Sequence, residues 1–200
     1  MSEYPFRKLH QQEKSPGSDR PDEVIWNDFI NGSDVAFTEI YDAYFDSLVR
    51  LGQQFNLNNE IIKDAIQDFF IDLRDHRKRL TSIQHIRPYL LKSFRRKLLK
   101  VKKRQEKSKS SLADFHHLHF SVTPSREKTM LESEQLEEQA ARLNKAIQKL
   151  SRHQKEAIYY LYFENMSYQE IQQVMGMKYI RSARNLIYQA LNRLRKAYSK

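Results

Sequence analysis

Apolar residues recur three or four positions apart through most of the chain, the period of a half-buried α-helix, and no stretch alternates in the way a strand requires. A first helical run is expected from about Glu23, interrupted at Asn31, Gly32 and Ser33, with Asp34 as the N-cap of the next helix. In that second helix Phe37, Ile40, Tyr41, Tyr44, Leu48 and Leu51 fall on one stripe. Asn58 or Asn59 can cap a third, whose apolar face is Ile61, Ile62, Ala65, Ile66, Phe69, Phe70 and Leu73. A polar loop from Arg79 to Arg87 then leads to Pro88, suited to the first turn of a fourth helix that buries Leu90, Leu91, Phe94, Leu98 and Val101. Trp26 is expected to pack the first helix against this bundle, and Tyr89 is more open to a surface role than Phe94.

The pattern lapses after residue 104. Residues 105–125 are polar and aperiodic and read as a linker, with helix resuming near Arg126. Two capping boxes follow, Ser151 with Gln154 and Ser167 with Glu170. The helix after Ser167 carries Tyr168, Ile171, Val174 and Met175 and stops at Gly176, the residue type that most easily takes a left-handed C-terminal cap. A last helix has Ala183, Leu186, Ile187, Ala190, Leu191 and Leu194 on its apolar side. The expected fold is all-α, two small helical domains joined by a flexible linker. Its divisions are a disordered tail at 1–22, a helical domain at 23–104, a linker at 105–139 and a domain with a helix-turn-helix at 140–200.

Composition narrows the chemistry. The 200 residues include no cysteine, which excludes disulfides, thiolate metal sites and cysteine nucleophiles. The four glycines, Gly17, Gly32, Gly52 and Gly176, lie too far apart for a phosphate-cradling loop. No apolar run has membrane-spanning length, and the opening MSEYPFRKLHQQEK lacks the apolar core of a signal peptide, so no membrane insertion and a cytoplasmic location are expected. The net charge of +10 is unevenly spread: residues 23–80 carry −5, residues 81–113 carry +10, residues 114–139 carry −4 and residues 140–200 carry +9. Two basic blocks parted by an acidic stretch fit a protein that touches a polyanion in two places.

A capped helix, a glycine turn and a basic amphipathic helix are the sequence form of a DNA-reading helix-turn-helix. Here Arg181, Ser182, Arg184, Asn185, Tyr188 and Gln189 lie in the first turns of the last helix. Arginine suits guanine and Asn or Gln suits adenine in the major groove, whereas Arg193, Arg195 and Lys196 fit phosphate or solvent. The fourth helix combines Arg87, Lys92, Arg95, Arg96, Lys97, Lys100, Lys102, Lys103 and Arg104 with Tyr89, a surface able to hold a DNA backbone and stack unpaired bases. His116, His117 and His119 lack the cysteine or carboxylate company of a metal site and read as solvated linker; His153 reads as surface and Met166 as core.

The stretch from Leu143 to Tyr198 resembles the C-terminal DNA-binding domain of bacterial sigma-70-family sigma factors, most nearly the compact extracytoplasmic-function (ECF) group. Leu150, Ser151, Gln154, Lys155, Phe163, Glu164, Met166, Ser167, Tyr168, Glu170, Ile171 and Gly176 supply the family pattern in order. The first domain is similar to the other half of the family: Ala36, Phe37, Ile40 and Tyr41 match its opening helix, and Asp64, Gln67, Asp68, Phe69 and Phe70 match its D-x-x-Q-(D/E)-x-F segment. Two departures stand out. The turn at Met177, Lys178, Tyr179, Ile180 and Arg181 is one residue longer than the common form, and Ser182, Ala183, Arg184 and Asn185 replace the usual Thr-Val-Lys-Ser, which leaves the register of base contacts open by one residue.

The resemblance implies a non-catalytic subunit that binds core RNA polymerase and promoter DNA, with no cofactor, no metal and no small-molecule substrate. The C-terminal domain would read the −35 element. The −10 element would fall to Thr81, Ser82, Gln84 and His85, in a loop that also holds Leu80 and Ile83, and to Tyr89, Lys92, Arg95, Arg96, Lys100 and Lys103. Asp64, Gln67, Asp68 and Asp72 would dock the coiled coil of the polymerase clamp, and an anti-sigma factor is a further partner the family allows. Three rivals remain: a free-standing helix-turn-helix regulator, a helical nuclease and a basic membrane-surface helix. Against the nuclease, the acidic row of the third helix and the basic fourth helix are expected to be separate surfaces.

Overall fold

The computed structural model describes residues 20–55, 57–108 and 130–198. Among them are eight α-helices, a short 3-10 turn at Arg77–Arg79 and no strand, so the all-α expectation holds. The helices are α1 (Asp22–Ile30), α2 (Asp34–Gln54), α3 (Asn59–Asp75), α4 (Ile86–Ser108), α5 (Met130–Gln148), α6 (Arg152–Tyr162), α7 (Tyr168–Met175) and α8 (Ile180–Tyr198). The chain divides into two compact units, one built on α1–α4 and the other on α5, α6 and α8. None of the described helices is long and apolar enough to cross a membrane.

In the first unit α2 packs on α1, α3 and α4, and α3 also packs on α4. Ser33, not Asp34, is the N-cap of α2: its Oγ accepts from the Ala36 N–H at 3.2 Å. Asp34 becomes the first helical residue, where its carboxylate meets the positive end of the helix field. Asn58 caps α3 by accepting from the Ile61 N–H at 2.8 Å. Trp26, Phe29, Ile40, Leu48, Leu51, Ile62, Ile66, Leu90, Leu91, Phe94 and Leu98 form the core, none more than 1% exposed. Burying each large side chain of this kind contributes about 1.5–3 kcal/mol. Phe37 and Val101 are only half-buried, and Tyr41 is exposed. Tyr41 lies at the rim of the stripe, its ring 4.8 Å from Phe70 and 5.3 Å from Phe45.

The boundary drawn at 22–23 is corrected. Asp22 opens α1 and its Oδ2 accepts from the Ile86 N–H at 2.9 Å, so it caps α4 across the bundle. Arg20 bonds Asp28 and Glu39. Buried Tyr44 also lies against Asp22, and burial with that nearby carboxylate pushes the Tyr44 hydroxyl well above the usual phenol range. The linker at 105–139 is corrected as well, because α4 runs on to Ser108 and α5 already spans 130–139. Residues 109–129, with the three histidines at 116, 117 and 119 and the expected start near Arg126, lie outside the described residues.

In the second unit Ser151 Oγ accepts from the Gln154 N–H at 3.3 Å while Gln154 Oε1 accepts from the Ser151 N–H at 3.1 Å. Ser167 and Glu170 make the same reciprocal pair ahead of α7, at 3.3 and 2.8 Å. Both capping boxes thus satisfy otherwise unpaired N–H groups at a helix start. Met166 is buried and His153 exposed, as expected.

At Gly52 the backbone of α2 lies close against Ile62 of α3. A Cβ added there would sit 2.6 Å from Ile62 Cγ2 and 2.9 Å from Ile62 Cγ1. Ile62 is branched at Cβ and fully buried, so it has little freedom to yield. Gly52→Ala gains up to about 1 kcal/mol of helix propensity. Overpacking costs about 1–3 kcal/mol, so a net fall in thermal midpoint is expected by circular dichroism.

Candidate nucleic-acid interface

The surface of α8 follows from its period. Ala183, Ile187, Ala190 and Leu194 are buried along one side, and Arg181, Ser182, Arg184, Asn185, Tyr188 and Gln189 are all exposed. Leu186 and Leu191, expected on the apolar side, are half-buried at its edges. Tyr188 is 65% exposed, which in a core-forming helix has no packing purpose. The helix contains no acidic residue. Arg181 and Arg184 stand in its first turns, where the helix field disfavours cations by roughly 0.3–1 kcal/mol each. The Arg184 guanidinium lies 5.6 Å from the Tyr168 ring centroid on α7, a contact that holds it without neutralising it.

Helix α8 begins at Ile180, so Ile180 and Arg181 belong to the helix and not to the preceding turn, which occupies Gly176 to Tyr179. Gly176 takes φ +68°, the left-handed cap conformation. The Met177 N–H donates to the Gln172 carbonyl at 2.9 Å, and the Gln172 side-chain amide donates to the Met177 carbonyl. The turn that leads into α8 is therefore tied to α7 by both backbone and side chain.

The second unit also holds polar contacts that spacing along the chain does not show. Tyr159 donates to Glu164 Oε1 at 2.7 Å, with Glu164 fully buried. The next residue, Asn165, adopts φ +48°, a conformation Asn tolerates better than most residues. Phe163 stacks on Tyr159 at 5.8 Å. Arg193, expected at phosphate or solvent, instead donates to Gln154 Oε1 at 3.1 Å and joins α8 to the α6 cap. Burial also pushes the Lys155 ammonium below its usual range.

In the first unit the loop side chains Thr81, Ser82, Gln84 and His85 are exposed, while Leu80 and Ile83 are half-buried. Trp26 is fully buried, and its Nε1–H donates to the Thr81 carbonyl at 2.9 Å. Tyr89 is half-buried with its ring edge-on to Trp26 at 5.0 Å, and burial pushes its hydroxyl up. On α4, Arg96, Lys100 and Lys103 are exposed and Lys92 and Arg95 half-buried. Lys97 and Lys102 are among the cations with internal partners. Lys97 Nζ lies 2.8 Å from Asp72 and 3.7 Å from Asp68, and Lys102 Nζ donates to the Phe55 carbonyl at 3.3 Å.

That Lys97 bridge corrects the expectation that the acidic row and the basic helix are separate surfaces. Asp68 and Asp72 share with Arg96, Lys97, Lys100 and Arg104 a groove of about 540 Å³ floored by Phe69 and Leu73. The reason is geometric: adjacent packed helices bring the outer edges of their faces together. Asp64 and Gln67 are exposed on the same helix as Asp68 and Asp72. Among the described residues no three His, Asp or Glu converge as metal ligands.

The comparisons with known proteins bear on both units. Residues 140–194 match the family described as Sigma-70, region 4. The chain is similar in fold to CnrH, solved in complex with the cytosolic domain of CnrY, at TM-score 0.60 and 17% identity over 88% of this chain and 95% of that one. It is also similar to the sigma factor RpoE, solved with the anti-sigma factor NepR from Bartonella quintana, at TM-score 0.59 and 15% identity over 82% and 96%. Among curated protein sequences none matches. Beside the resemblance drawn from the motifs there thus stand two findings, a match to the Sigma-70, region 4 family in the second unit and a fold shared with these proteins along most of the chain.

Removing the hydroxyl in Tyr159→Phe takes away a donor to buried Glu164, and leaving a buried acceptor without that partner costs about 1–3 kcal/mol. A loss of that size in urea unfolding followed by tyrosine fluorescence is the expected outcome.

Proposed function

We propose, from the premise that residues 140–194 match the Sigma-70, region 4 family, that the protein is an ECF-group sigma factor that binds core RNA polymerase and directs it to promoters. The domain at 140–200 reads the −35 element as duplex through Arg181, Ser182, Arg184, Asn185, Tyr188 and Gln189. The domain at 23–104 captures the −10 strand with Thr81, Ser82, Gln84, His85 and Tyr89. Along α4, Lys92, Arg95, Arg96, Lys100 and Lys103 hold its backbone. Asp64, Gln67, Asp68 and Asp72 dock polymerase; Asp68 and Asp72 keep about two-thirds of their side-chain surface open beside Lys97.

The observation that carries the reading is on α8: six polar and aromatic side chains exposed on the side away from its buried stripe, on a helix with no acid to neutralise them. Bidentate base contacts of this kind discriminate by about 1–3 kcal/mol per base pair. Opening of the duplex draws on the binding of exposed bases, so the protein acts by binding and hydrolyses nothing. RpoE and CnrH were each solved with a protein partner. Their shared fold supports a similar partner, an anti-sigma factor, for this chain.

The reading is tested by in vitro transcription with core RNA polymerase on fragments of the genome that encodes the protein. New start sites sharing −35 and −10 sequences are expected. Asn185→Ala or Gln189→Ala should relax the −35 preference by roughly five- to a hundredfold at one base pair. No new start sites, or binding to the same DNA without polymerase, contradicts the reading, the second outcome favouring a free-standing regulator.

A further inference from the structure

Residues 80–85 form an irregular segment between the 3-10 turn and α4, and they expose Ser82, Gln84 and His85. A segment of this kind presents side chains reproducibly only if its backbone is held from outside. Both of its ends are held by one element, α1. Near the start, the Thr81 carbonyl accepts from Trp26 Nε1 at 2.9 Å. At the far end, the Ile86 N–H donates to Asp22 at 2.9 Å.

Neither anchor is free to move. Trp26 is fully buried against Phe29, at 5.4 Å between ring centroids, and Tyr89, at 5.0 Å. A buried indole N–H needs an acceptor, and here it takes one from the loop itself. Asp22 is fixed by its place in the first turn of α1 and by the Tyr44 hydroxyl. Trp26 and Asp22 lie one helical turn apart, so a single rigid helix spaces the two ends of the loop.

We propose that α1 is the positioning element of the −10 loop: Trp26 and Asp22, which reach no DNA themselves, set the backbone from which Ser82, Gln84 and His85 meet the unpaired strand. This rests on the promoter reading above and adds to it the device that preorganises the loop. A held loop spends no binding energy on being ordered when the strand arrives.

Three variants test it in the full chain. Trp26→Phe keeps a ring against Phe29 and Tyr89 but has no N–H. Asp22→Ala has no acceptor for Ile86, whereas Asp22→Asn retains one. In amide hydrogen exchange, Trp26→Phe and Asp22→Ala are expected to exchange roughly three- to tenfold faster across 81–86. The amides of α3 should keep wild-type protection, and Asp22→Asn should restore the loop.

In transcription with core polymerase, Trp26→Phe and Asp22→Ala should lose base preference at the −10 element by a similar factor and keep it at −35, whereas Asp22→Asn should keep it at both. Wild-type exchange across 81–86 in both variants, or preference lost equally at −10 and −35, overturns the positioning role and leaves the promoter reading standing. A wild-type chain that produces no new start sites overturns the promoter reading, and the positioning role with it.

Discussion

Helix α4 buries Leu90, Leu91, Phe94 and Leu98 at no more than 1% exposure while lysine and arginine occupy nearly every position between them. Those cations repel one another along a single helix and cannot turn inward without losing their hydration. The first unit eases the conflict through internal contacts: Lys97 meets Asp72 and Asp68, and Lys102 reaches the Phe55 carbonyl. An exposed pair of this sort contributes only about 0–1 kcal/mol, so its value lies more in local charge balance than in stability. Arg96, Lys100 and Lys103 are left exposed on the rest of the helix. The capped start of α4, the loop before it and the acidic α3 beside it are arranged around this division of one helix between core and solvent.

Helix α8 divides in the same way with smaller side chains. Alanine at 183 and 190 lets the helix lie close to its neighbours, while Ile187 and Leu194 supply bulk. Arg193 is drawn inward to Gln154, which also closes the capping box of α6. One glutamine oxygen therefore fixes both the start of α6 and the register of α8 against it. The cations left outward at the start of α8 work against the helix field, a cost that an external polyanion would offset.

The helices were legible in the sequence because their apolar faces keep strict period and because Ser151, Ser167 and Gly176 punctuate them. The exposed face of α8 was legible for the same reason: residues opposite a buried stripe are outside by geometry. What escaped was contact between residues far apart in the chain. Nothing near Asp22 signals that its carboxylate caps a helix starting 64 residues later, and nothing near Trp26 signals a bond to Thr81. The Lys97 bridge, the Arg193 bond and the Tyr159–Glu164 pair were hidden likewise, since a charged or polar residue at helical spacing reads as solvated until a neighbour is known. Ser33 displaced Asp34 as cap because both residue types cap well and only backbone geometry chooses between them.

The central claim is that one chain brings two different surfaces to promoter DNA, one to unpaired strand and one to duplex. Site-specific photocrosslinking from Gln84 and from Gln189, in the complex with core polymerase on an open promoter, tests it most directly. The account predicts that Gln84 marks the non-template strand at the −10 element and Gln189 marks the duplex at the −35 element, each only when polymerase is present. Crosslinks from both positions to one duplex site, formed equally without polymerase, would contradict it.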